Sequence, residues 1–141
     1  MALPSIGINE WAVLTAAIAS MIIGALWYSP LLFGNAWMRL MGFNKKDIEK
    51  AKKKGMGKLY FYNFIGALVM ACVLAWFIGV SGASGLSEGI IVGFYVWVGF
   101  IAAIHIGSVL WEGRPFSLYL INISYWLVNL IVGASILAVW K

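Results

Sequence analysis

The fold of this chain is decided by the stretch KKDIEKAKKKGMGK (45–58) and the run LYFYNFIGALVMACVLAWFIGV (59–80) that follows it directly. The second part carries no charged side chain and is as long as the roughly 20 apolar residues that a helix needs to cross a bilayer. The first part is rich in lysine and is expected to remain in water. The stretch therefore predicts a membrane-spanning helix with a basic segment before it.

Three further runs of this kind, 11–28, 90–111 and 118–140, fill most of the 141 residues. Only 11% of the residues are charged, against about 25% in soluble domains, so the chain cannot assemble a water-facing shell. Backbone polar groups in lipid must pair within their own segment, and the runs are too long for barrel strands. We predict an all-α fold: one integral membrane domain, 1–141, built as a four-helix transmembrane bundle.

The distribution of basic residues predicts the orientation of the bundle. Eight of the ten Lys and Arg residues lie in the first loop: Arg39, Lys45, Lys46, Lys50, Lys52, Lys53, Lys54 and Lys58. Short loops rich in Lys and Arg stay in the cytoplasm. We expect this loop inside and both termini outside, with Lys141 as a contrary signal. The tail before Trp11 lacks a signal peptide's positive region, so the first run is expected to be retained.

The first loop contains two predicted short helices. Residues 30–43 show the apolar spacing of an interfacial helix, with a re-entrant dip as the alternative. Asn44 is a suitable N-cap for a polar helix over 45–54 that ends at Gly55. Its lysines are expected mainly to fix topology and secondarily to attract anionic lipid headgroups. This set comprises Lys45, Lys46, Lys50, Lys52, Lys53 and Lys54. The patch is too short to indicate nucleic-acid binding.

Small residues recur at every fourth position on three of the runs. The stripes are Ala12, Ala16, Ser20 and Gly24; Ala67, Ala71, Ala75 and Gly79; and Gly99, Ala103 and Gly107. In lipid, close backbone approach over such stripes drives helix packing. Gly89 and Gly93 add a GxxxG pair that fits either internal packing or dimerisation.

Several polar residues fall inside the runs at similar depth. They are His105, Asn63, Ser108, Asn122, Tyr125 and Asn129. We predict that they form a polar cluster near the basic end, because an ionisable group inside a membrane is by default a functional candidate. The alternative is a purely structural role, in which a neutral His105 forms hydrogen bonds that hold the last two spans together. Glu112 and Arg114 are expected to form an ion pair in the turn between the last two runs.

The residues indicate no catalytic set, metal site or cofactor. Cys72 is the only cysteine, and we interpret it as a small apolar residue that only fills space within a span. Zinc requires three or four good ligands, and a single histidine cannot supply two axial haem ligands from one chain.

The block WYSPLLFG (27–34), together with Trp37, His105 and the turn EGRP (112–115), resembles a bacterial family of small four-span membrane proteins, domain of unknown function 1761. The resemblance covers essentially the whole chain. It implies a four-helix integral membrane protein, without an established activity, substrate or cofactor. We expect the protein in the bacterial inner membrane.

Three functions remain as hypotheses. The first is a non-enzymatic, homo-oligomeric or accessory membrane component. The second is a small oligomeric transporter or channel with a polar route past His105, Asn122 and Asn63. The third is a membrane enzyme or haem-binding protein that uses His105.

Overall fold

The computed structural model describes residues 5–141, so the first four residues of the N-terminal tail lie outside the description. The described chain is helical, without strands, and four helices are long and apolar enough to cross a membrane. The spans are α1 (Glu10–Trp27), α4 (Gly57–Ser81), the third span (Leu86–Leu110) and α8 (Phe116–Val139). The predicted fold class is confirmed.

Two short helices connect α1 to α4, as predicted: α2 (Gly34–Met41) and α3 (Lys45–Lys53). Asn44 starts α3 with a reciprocal capping box, in which its Oδ1 accepts from the Asp47 backbone N–H at 2.9 Å and Asp47 Oδ2 accepts from the Asn44 N–H at 3.0 Å. Gly42 ends α2 in the left-handed conformation, with φ 78°. With eight residues, α2 is about 12 Å long, far too short to cross a bilayer.

Helix α2 begins later than the amphipathic pattern predicts, because the chain first folds back on the end of α1. The Phe33 N–H donates to the Trp27 carbonyl at 2.9 Å, and the Gly34 N–H donates to the Ser29 carbonyl at 2.9 Å. A Cβ at Gly34 would lie 2.5 Å from the Tyr28 carbonyl oxygen, so this position accommodates only glycine. The turn thereby fixes α2 against the end of the first span.

The third span is irregular. It consists of α5 (Leu86–Trp97), a π-helical segment (Val98–Ala102), α6 (Ala103–His105) and α7 (Gly107–Leu110). It starts before the apolar run because Glu88, a first-turn acid, accepts a hydrogen bond from the Ser84 N–H at 2.6 Å. The π segment displaces backbone carbonyls from their regular partners, and the Tyr119 hydroxyl donates to the Ala102 carbonyl at 2.6 Å.

Helix α8 is the centre of the bundle, and α1, α4 and α5 all pack against it. Of the 18 most apolar consecutive residues, 39% are buried in α8 and 11% in the third span. The third span contacts the rest of the bundle mainly through α8. Gly89 and Gly93 provide that contact: a Cβ there would lie 2.9 Å from the Ala134 carbonyl oxygen and 2.8 Å from that of Leu130. The GxxxG pair therefore serves packing within the chain.

The three small-residue stripes are used differently. Ala12 and Ala16 of the first stripe and Ala71 of the second are buried in the core. In the third stripe Ala103 is exposed, and a Cβ at Gly99 would meet no atom within 4 Å. Within one chain, no other helix of the described residues therefore packs against Gly99 and Ala103 of this stripe.

Candidate functional site

The most buried polar side chain of the described residues is Asn129, only 2% exposed at the contact between α1 and α8. Its Nδ2 donates to the Ser20 hydroxyl at 2.8 Å and to the Tyr125 hydroxyl at 2.9 Å. Both amide hydrogens are thus used, which offsets the cost of placing the amide among apolar side chains. This triad joins the first and last spans.

A second polar contact lies one step closer to the end that carries α2 and α3. The Tyr28 ring packs edge-on against the Tyr125 ring, with centroids 5.3 Å apart, and the Tyr28 hydroxyl donates to Asn122 Oδ1 at 2.8 Å. Gly24 makes room for Tyr125, because a Cβ there would lie 3.1 Å from the Tyr125 hydroxyl. Polar side chains therefore run from Asn129 to the end of the bundle.

Two adjoining cavities open beside this row of side chains. The inner one, about 330 Å³, lies between α1, α4 and α8 and is bordered by Asn63, Tyr125 and Trp126. Asn63 Nδ2 lies 3.5 Å from Met21 Sδ. The outer cavity, about 820 Å³, is covered by α2 and α3. Tyr28 and Tyr60 line both cavities, so the two together form one crevice, whose outer part is mainly apolar.

The outer cavity has one cationic side chain, Lys52 of α3. Ile48, one turn earlier on the same helix face, also lines the cavity. The other lysines of the predicted headgroup set lie on the exposed surface and do not line it: Lys45, Lys46, Lys50, Lys53 and Lys54. None of the described residues that line the cavity is acidic.

His105 lies apart from this crevice. It is exposed on the third span, where its Nδ1 is 3.0 Å from the Ile101 carbonyl oxygen. Together with Ser108 and Glu112 it lines a separate open groove of about 350 Å³. The structure therefore divides the predicted polar cluster: Asn122, Tyr125 and Asn63 border the crevice, Asn129 lies deeper, and His105 and Ser108 lie elsewhere.

Arg114 stabilises the turn before α8 through other contacts than the predicted one. Its backbone N–H donates to the Ser108 carbonyl at 3.0 Å, and its guanidinium Nη1 lies 4.0 Å from Met41 Sδ. Among the described residues, Arg114 forms no ion pair with Glu112, which faces the His105 groove.

Some contacts are absent from the sequence-based prediction. Ser20 belongs to a stripe of small residues, a pattern that predicts helix packing and gives no sign of the hydrogen bond to Asn129. Trp97 Nε1 donates to the Ile123 carbonyl at 2.7 Å, and Trp27 Nε1 donates to the Ile121 carbonyl at 3.1 Å. A tryptophan within a span is the only signal for such bonds, and it does not identify the acceptor.

No group of three His, Cys, Asp or Glu side chains that could hold a metal ion occurs within residues 5–141. No curated protein and no solved structure matches the chain significantly. A family model described as "Protein of unknown function (DUF1761)" matches residues 11–138, nearly the full length. The expected resemblance is confirmed, and the chain belongs to the DUF1761 family of proteins of unknown function.

Proposed function

We propose that this protein is a non-catalytic, self-associating component of the bacterial inner membrane, and that two copies meet along the third span. The observation that carries the proposal is the placement of His105 on the open face of the least buried span. A histidine on a membrane helix is expensive next to hydrocarbon and normally faces protein or a water-filled cavity. A second copy covering this face would remove that cost.

The face has the features of a helix–helix contact in lipid. Gly107 lines the same groove as His105 and exposes the helix backbone there. Gly99 and Ala103 are also open on this span, but Ala103 lies about 200° around the helix axis from His105 and belongs to another face. Small residues allow the close backbone approach that drives association in membranes. Small residues of α1 and α4 are already used inside the bundle, which leaves Gly107 available for close approach by a partner.

The polar groups of the groove suit a copy of the same chain. In a two-fold contact both copies use the same patch, so a residue of one copy contacts residues that lie near the same position on the other copy. His105 Nδ1 donates to the Ile101 carbonyl within its own helix, so Nε2 of the neutral ring is left as an acceptor, and the Ser108 hydroxyl of a second copy is a suitable donor to it. Two copies would therefore satisfy each other's groove without a different partner.

The proposed orientation has α2 and α3 in the cytoplasm and both chain ends outside. It rests on the lysine-rich first loop, since the loop 82–85 contains no Lys or Arg. Reporter tags in the first loop are expected to report a cytoplasmic location. A periplasmic signal there would contradict this orientation.

The test of self-association compares two glycine variants of the full-length protein. Gly107→Leu places a bulky side chain in the groove, whereas Gly66→Leu places the same side chain on an open face of α4. Particle mass is measured by native mass spectrometry from mild detergent. The wild-type protein and the Gly66 variant are expected as dimers, and the Gly107 variant as a monomer. A monomeric wild type, or equal behaviour of both variants, would contradict the proposal.

A further inference from the structure

We propose that the outer part of the crevice is a binding site for one phospholipid with an anionic headgroup. The site is the cavity of about 820 Å³ between the end of α1, helices α2 and α3, the first turn of α4 and the second turn of α8. It is separate from the His105 groove, so it does not depend on the proposed self-association.

The polar side of the cavity includes several hydrogen-bond donors. Lys52 provides an ammonium group and Tyr60 a hydroxyl. Asn122 Oδ1 is occupied by the Tyr28 hydroxyl, which leaves the Nδ2 end of Asn122 as a donor. Several donors, one of them cationic, complement the oxygen atoms of a phosphate.

The charge of the cavity selects an anion rather than a cation. No described lining residue is acidic, and the only charged one is Lys52. The two carboxylates of α3, Asp47 and Glu49, do not line the cavity. Asp47 is moreover engaged in the capping box at the start of α3. An anionic group entering the cavity therefore meets one positive charge and no negative charge on the described lining residues.

The rest of the wall is apolar and suits the glycerol and upper acyl region of a lipid. Trp37, Met38 and Met41 line it from α2, and Ile48 lines it from α3. Methionine side chains adapt to irregular apolar ligands. A small soluble anion would leave this wall uncovered, so the combination of donors and apolar surface favours a lipid.

Lys52 and Lys53 form a matched pair for the test. Both are exposed lysines of α3, but only Lys52 lines the cavity. Lys52→Ala and Lys53→Ala remove the same charge from the same helix, and neither side chain forms a hydrogen bond or ion pair with another residue in 5–141. A general attraction of the lysines to anionic lipid predicts equal effects, whereas a defined site predicts unequal ones.

The experiment titrates purified full-length protein with phosphatidylglycerol and, separately, with phosphatidylcholine, and counts bound lipid by native mass spectrometry. We expect one tightly retained phosphatidylglycerol, bound at least tenfold more strongly than phosphatidylcholine. Lys52→Ala is expected to weaken its binding about tenfold, and Lys53→Ala less than twofold, as one charge-assisted contact implies.

Three outcomes would overturn the site. Equal losses, or no loss, in the two lysine variants would leave only diffuse attraction. Equal retention of phosphatidylcholine would remove the role of the anionic headgroup. Displacement of the bound lipid by millimolar inorganic phosphate would show a site for a free anion in place of a lipid.

Discussion

At the scale of single residues, Asn129 is the polar group on which the bundle depends most. It is almost fully buried, and its amide connects Ser20 of α1 with Tyr125 of α8. Loss of the amide would leave two hydroxyls short of a partner in an apolar interior. A buried hydroxyl without a hydrogen-bond partner lowers the free energy of unfolding, because it has also lost its hydrogen bonds to water.

We expect Asn129→Ala to lower the free energy of unfolding by about 1 to 2 kcal/mol, since two membrane-embedded hydrogen bonds and some packing are lost. The measurement is an SDS titration in mixed micelles. Asn35→Ala, on the exposed surface of α2, serves as the control and is expected to change little. Equal losses in the two variants would remove Asn129 from its structural role.

The same residue illustrates how far the sequence predicts the site. The polar positions within the spans are visible in the sequence, and the rise per residue places them at approximate depths. Depth does not tell which way a side chain faces. The sequence predicts similar depths for His105 and Asn122, yet His105 faces out of the bundle and Asn122 borders the crevice, because the third span packs on α8 mainly through α5 and less through the segments around His105.

At the scale of helices, the attachment of the third span to α8 depends on two glycines. The backbone atoms of α8 approach Gly93 so closely that a Cβ would lie 2.8 Å from the Leu130 carbonyl oxygen and 3.0 Å from Ile131 Cα. Backbone atoms cannot move aside as the end of a flexible side chain can. The helices must therefore separate if this position gains a side chain.

We expect Gly93→Ala to lower the free energy of unfolding by about 1 to 3 kcal/mol, the usual cost of overpacking. Gly66→Ala is the control, because a Cβ on that α4 glycine meets no atom within 4 Å. It is expected to be neutral, or to stabilise by up to about 1 kcal/mol through helix propensity. A neutral Gly93 variant in the same SDS titration would contradict the close packing.

Helix existence is predictable here, because lipid requires long apolar segments that pair their own backbone groups. Irregularities within a helix are not predictable in the same way. The π-helical segment Val98–Ala102 contains no proline, and its displaced carbonyl is satisfied by Tyr119 of another helix. The hydrogen bond joins two different helices, so the residues around Val98–Ala102 do not by themselves predict the π-helical geometry.

At the scale of the whole molecule, the bundle is unevenly covered. Helix α8 is surrounded by α1, α4 and α5, whereas the third span is open along most of its length and carries polar groups there. Apolar exposure is normal for a protein in lipid, but an exposed histidine is not. The asymmetry is the basis for the proposed dimer.

Disulfide cross-linking in native membranes tests this claim most directly. In a Cys72→Ser background, cysteine is placed at Ile104, which is 63% exposed in the His105 groove, or at Val69, which is 59% exposed on α4. A disulfide requires Cα atoms within about 7 Å, so it reports direct contact between copies. Mild oxidation is expected to give a covalent dimer for Ile104→Cys and none for Val69→Cys. Absence of the Ile104 dimer, or equal dimer at both positions, would contradict the account.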